Sequence, residues 1–159
     1  MAQTAHRYAI TVSTFIDASP SEAWDLLVDQ NRMGRLFWDS TVESDFVPGH
    51  PIIWKGTWQG KPFEDRGSIR KAERPRLLQC THWTASSGDF VEENLSLLTW
   101  ELSAEKGGVT VTFRHENIPT PQMRLIALAL AARPAQVPAA HNVARRIGRS
   151  LQQRLHPGQ

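Results

Sequence analysis

A chain of 159 residues, 40% hydrophobic and 21% charged, has the size and composition of one soluble globular domain with one core. Its single cysteine, Cys80, excludes an internal disulfide and reads as a small buried apolar residue in a reducing, cytoplasmic compartment; residues 1–7 contain no apolar secretory segment, and the longest apolar run, 125–132, is too short to span a bilayer. The net charge of +2 is unevenly placed: residues 1–116 carry twelve Lys and Arg against sixteen acids, whereas residues 117–159 carry six Arg and no acid, the pattern of a basic terminal helix docked on a more acidic sheet.

In chain order, Tyr8, Ile10, Val12 and Ile16 alternate with polar or small residues, which predicts a first strand. Ser19-Pro20-Ser21-Glu22 follows. Ser19 suits an N-cap, Pro20 the first helical position and Glu22 the reciprocal partner of a capping box. Trp24, Leu27 and Val28 supply the apolar stripe of that helix, and Asn31–Arg35 a second short helix or turn. Strands are then expected at 40–47, 51–58, 62–72, 76–84, 92–103 and 108–117, separated by Pro48-Gly49, Gln59-Gly60, Ser86-Ser87-Gly88-Asp89 and Lys106-Gly107-Gly108. Val109, Val111, Phe113 and His115 share one face of the last strand. Thr110, Thr112, Arg114 and Glu116 share the other. Thr120-Pro121 opens a helix to about residue 132, and Pro134 and Pro138 interrupt it. Ala140, Val143, Ala144, Ile147, Leu151 and Leu155 form one stripe of a final helix over about 138–155, with Arg145, Arg146 and Arg149 facing away.

This order carries a family resemblance. Phe15-Ile16-Asp17-Ala18-Ser19-Pro20-Ser21-Glu22-Ala23-Trp24 resembles an opening strand and Ala-Ser-Pro-x-x-Val-Trp helix start. Phe46-Val47-Pro48-Gly49-His50-Pro51-Ile52 resembles a characteristic turn, and Gly67-Ser68-Ile69 with Arg74-Pro75-Arg76-Leu77 a characteristic strand and turn. Leu98–Leu102 with Gly107–His115 resembles the closing hairpin. On these motifs the chain resembles the SRPBCC superfamily (START and Bet v 1-like), and within it the homologues of the Hsp90 ATPase activator. The resemblance implies an α+β helix-grip fold. A curved antiparallel sheet would wrap a long C-terminal helix, with two short helices after the first strand. The whole chain, 1–159, would be a single domain with a helical insertion at about 118–139.

Strand parity nominates Trp54, Trp58, His82, Trp100, Phe113 and His115, and the stripe of the terminal helix nominates Ile147 and Leu151, as the residues that would line a hollow between sheet and helix. For any one tryptophan, core filling is the simpler role. His82, His115 and Asp65 are candidate polar groups within that apolar set. They could orient a ligand or perform acid–base work, with a hydrogen-bonded structural role as the plain alternative for each. No H-E-x-x-H spacing, Walker loop, dinucleotide fingerprint or G-x-S-x-G elbow occurs, so no metal, cofactor or nucleophilic residue is expected. The C-terminal arginines lack interleaved aromatics, which argues against nucleic acid. The expected partner is a small hydrophobic molecule, bound without catalysis. A cyclase- or hydrolase-like activity on a polyketide-type substrate is the alternative from the enzyme class. A protein-interaction module is the third reading, with a homodimer or protein contact through 118–139.

Overall fold

The computed structural model describes residues 7–36 and 40–121. Seven antiparallel strands form one sheet in the order β1-β7-β6-β5-β4-β3-β2. The strands are β1 (Tyr8–Ile16), β2 (Thr41–Glu43), β3 (Pro51–Trp58), β4 (Lys61–Glu73), β5 (Leu77–His82), β6 (Ser96–Glu105) and β7 (Gly108–Ile118). Two short helices, α1 (Pro20–Leu27) and α2 (Gln30–Leu36), join β1 to β2 across the sheet. β2 to β7 therefore run as a meander, and β1 closes the far edge against β7.

Local chemistry sets these boundaries. Pro20 starts α1 where a missing N–H costs nothing, and the Glu22 N–H donates to Ser19 Oγ at 3.1 Å. Only this half of the expected capping box forms among the described residues. Ala23, Trp24 and Leu27 bury the inner stripe of α1. Arg74 then pins the helix to the β4–β5 turn through Asp25 Oδ1 and Ser21 Oγ, both at 2.7 Å.

Two expected strands are shorter than their sequence patterns. The strand expected at 40–47 stops at Glu43. Ser44 Oγ and Asp45 Oδ1 accept from the amides of Phe46 and Val47, and Phe46 adopts φ 57°, so side chains replace the ladder and turn the chain. The strand expected at 92–103 begins at Ser96, because Glu92–Asn94 forms a 3₁₀ turn. Asn117, itself at φ 61°, donates from Nδ2 to the carbonyls of Glu93 (3.0 Å) and Leu95 (2.8 Å) and fixes that turn beside the end of β7.

One face of the sheet is packed. Ile16, Val42, Ile52, Trp54, Ile69, Leu78, Cys80, Leu98, Trp100, Leu102 and Val109 all belong to one buried cluster with Ala23, Trp24, Leu27 and Met33 of the helices. The opposite face is polar. There Ser13 and Thr112 hydroxyls meet at 2.9 Å, and Gln79 Nε2 donates to Thr99 Oγ1 at 3.1 Å. A register shift between Ile69 and Lys71 re-aims β4 relative to β5. Beside it, Gly67 leaves no room for a side chain, since a Cβ there would fall against the Thr81 carbonyl oxygen. The expected final helix, with the rest of the 118–139 segment beyond Pro121, lies outside the described residues.

Candidate functional site

Register brings the sequence-nominated residues together. Asp65 of β4 pairs with Trp54 of β3, Leu98 of β6 pairs with both Cys80 and His115, and Trp100 pairs with Phe113. Since paired residues point to the same side of a sheet, these side chains share the packed face. Their rings make a continuous row. Trp54 meets His82 edge-on at 5.0 Å, and His82 meets His115 at 6.3 Å. His115 in turn meets Phe113 at 6.2 Å, and Phe113 meets Trp100 at 5.1 Å. Trp54 is fully buried and Trp100 nearly so, while Trp58 is half-buried near the β3–β4 hairpin. Ile147 and Leu151, the other two residues assigned to the hollow, lie outside the described residues.

The three polar candidates converge within this row. His82 Nε2 lies 3.0 Å from Asp65 Oδ2, with side-chain exposures of only 17% and 12%. With its proton on Nε2, the imidazole donates to the carboxylate and Nδ1 is left as an acceptor. His115 differs. Its Nε2 is buried and has no hydrogen-bond partner among the described residues. Burial, reinforced by the nearby His82, pushes its pKa down to about 3, so the ring is neutral at physiological pH. The arrangement thus holds one carboxylate–imidazole pair and one neutral imidazole with an unspent hydrogen-bonding nitrogen.

Two other members of this face, Ser96 and Phe63, carry no signal singled out in the sequence, whereas Cys80 is buried as its sequence reading expects. Ser96, buried at 2% exposure, pairs with His82, and its Oγ donates to the Asn117 carbonyl at 3.4 Å. Extending the parity of Leu98, Trp100 and Leu102 by one step would have found it. The Phe63 ring lies over Gly56, its cross-strand partner, and adds an aromatic surface between Trp54 and Trp58. Cys80 sits mid-face, and burial pushes its thiol pKa well up, which keeps it protonated and unreactive.

A separate depression of about 390 Å3 opens to solvent beside the start of α1, lined by Asp17, Ala18, Ser19, Glu22, Gly107 and Gly108. It carries carboxylates rather than aromatics and lies seven residues along β7 from His115, so it is not the expected hollow. No group of three His, Cys, Asp or Glu side chains suited to a metal occurs among the described residues. No helix among them is long and apolar enough to cross a membrane.

Comparison with known proteins agrees with this architecture. A solution structure from Cytophaga hutchinsonii is 27% identical, with a TM-score of 0.63 and 94% of each chain covered. The Aha1 dimer of Colwellia psychrerythraea is 18% identical, with a TM-score of 0.60, covering 78% of this chain and 88% of that one. An HSP90 activator from Plasmodium falciparum is 17% identical, with a TM-score of 0.55, covering 70% of this chain and 74% of that one. The latter two likenesses speak for the fold alone. A search of curated protein sequences finds no match. The model of the family described as Activator of Hsp90 ATPase homolog 1-like protein matches residues 17–130, most of the chain and every helix and strand traced above except β1, so the chain belongs to that family.

Proposed function

We propose that this protein binds a small, largely apolar molecule between the packed face of its sheet and its C-terminal segment, without transforming it. The observation that carries this reading is the ring row Trp54–His82–His115–Phe113–Trp100. It is a contiguous aromatic surface with hydrogen-bonding nitrogen set into it. Ligand sites commonly combine such apolar walls with a few placed polar groups. In this reading Ile147 and Leu151 close the hollow from the opposite side. Residues 1–159 act as one domain, and the protein works in the cytoplasm. Native mass spectrometry of freshly purified protein should reveal a retained small molecule, and an apolar fluorescent probe should compete with it. Absence of saturable probe binding at micromolar concentration would sink the proposal.

The Asp65–His82 pair favours a second, enzymatic reading. A carboxylate that fixes an imidazole leaves its other nitrogen free to move a proton. Turnover of a polyketide-type or ester substrate, lost on His82→Asn at unchanged stability, would establish it. A third reading, a protein-interaction module, draws on the relatives: one is named as an HSP90 activator and another as a dimer. Exposed Phe90 and Val91 offer apolar surface for such a contact.

A further inference from the structure

The two edges of the sheet are unequal. β2 ends one side with three residues, and α2 packs beside it. β1 ends the other side with nine residues, and among the described residues no strand pairs with its outer edge. Edge strands are ordinarily protected by a charge, a proline or a bulge. β1 has neither charge nor proline between Tyr8 and Ile16. Its register shift lies between Tyr8 and Ile10, which leaves 10–16 a regular strand. On the face away from the aromatic row, Thr11, Ser13 and Phe15 are exposed, Phe15 by 51%.

The segment Ile10-Thr11-Val12-Ser13-Thr14-Phe15-Ile16 is pseudo-symmetric about Ser13, with isoleucine at both ends and a β-branched or aromatic residue at each position between. When a second copy is turned end for end about Ser13, Ile10 falls opposite the partner's Ile16, Val12 opposite the partner's Thr14 and Thr11 opposite the partner's Phe15. Residues directly opposite in an antiparallel pair share a face. The isoleucines therefore meet on the packed side, and each exposed Phe15 is covered by a threonine, a favourable aromatic–β-branched pair. Charge matches as well. Arg7 precedes β1 and Asp17 follows it, so antiparallel pairing brings the Arg7 end of one copy beside the Asp17 end of the other. We propose that β1 is a homodimerisation edge, through which two copies of this chain pair antiparallel over 10–16 about a two-fold axis at Ser13 and join their sheets into one. The proposal is independent of ligand binding, and its outcome and that of the binding reading are separable.

Sedimentation equilibrium of the full chain should show a monomer–dimer equilibrium. Ser13→Lys sets two ammonium groups across the axis and should weaken the dimer at least about tenfold, and Ser13→Glu should do the same. An equimolar mixture of the two variants should recover a heterodimer, because opposite charges then meet across the axis. Circular dichroism checks that each variant is folded. Ser13→Cys is the second route. Residues directly opposite on antiparallel strands lie within disulfide reach, so air oxidation should link two chains covalently. Ser103→Cys, exposed on the same face but on β6, should not cross-link. A wild-type monomer at every concentration up to about 100 µM, or a dimer that survives Ser13→Lys, overturns the proposal. Should the charged variants unfold, a Ser13→Cys chain that stays uncross-linked overturns it.

Discussion

Among the described residues, two aspartate–histidine pairs of the same chemistry sit in different surroundings. In the β2–β3 turn, His50 Nδ1 lies 2.6 Å from Asp45 Oδ2, and both side chains are more than half exposed. On the packed face, His82 Nε2 lies 3.0 Å from Asp65 Oδ2, and both are largely buried. The shorter contact is the less consequential one. Asp45 is held below the usual carboxylate pKa, first by His50 and then by the Val47 amide, yet water competes for every charge in that turn. The longer contact lies among rings that exclude water, where an unpaired polar group is expensive. Distance alone does not rank polar contacts; the medium around them does.

The largest effect expected from this contrast is a pH dependence centred on His115. Its folded pKa is depressed to about 3 while the unfolded chain titrates near the ordinary value of 6.5. The unfolded state therefore binds the proton first as pH falls. Stability from this group is complete above about 6.5 and is lost progressively down to about 3, by on the order of 3–5 kcal/mol. Urea denaturation across that range should show the slope, and His115→Phe should flatten it. An unchanged slope in the variant would mean that another group governs acid stability.

A smaller loss is expected from Asp65→Ala, about 1–3 kcal/mol, because His82 would keep its burial and lose its partner. Chemical denaturation at neutral pH measures it, and a neutral result would place water at the pair and erase the distinction between the two regions. The smallest effect belongs to Asp45→Asn, which keeps an acceptor for the Val47 amide and should leave the denaturation midpoint at pH 7 nearly unchanged. Wild-type Asp45 contributes its small share of stability above the usual carboxylate range and loses it as pH falls through its lowered pKa, so even the slight difference between variant and wild type should vanish in acid. A loss at neutral pH as large as that of Asp65→Ala would reverse the ranking.

Much of this contrast is readable from the sequence, and the remainder has a physical reason for being hidden. Period-two alternation in 109–115 assigns Phe113 and His115 to the packed face, and the same rule assigns Trp54, Asp65 and His82, because side-chain direction along a strand is a local property. Which of these residues touch is not local. The Asp65–His82 contact depends on the register of β4 against β5, and that register shifts between Ile69 and Lys71 where the alternation gives no signal. The end of β2 and the start of β6 depart from their sequence patterns for a related reason. Ser44, Asp45 and Asn117 bond to backbone amides and carbonyls and stop strands whose apolar patterns continue. The pairing of Asp45 and His50 is equally hidden, since nothing about two polar residues five apart in a turn distinguishes a hydrogen-bonded pair from two solvated ones.

The strand order has a consequence for how the site is assembled as the chain is made. Neighbours from β2 to β7 are joined by short connections and can zip together successively. β1 must instead wait for β7, because Ile10 pairs with His115 across more than a hundred residues of intervening chain. Among the described strand pairs, closing so long a loop carries the largest entropic penalty. Among the described strands, the seam that walls in His115 is therefore the last to form during synthesis. Until it closes, β7, with Phe113 and His115, is an open sheet edge, exposed to whatever chaperone or ligand reaches it first.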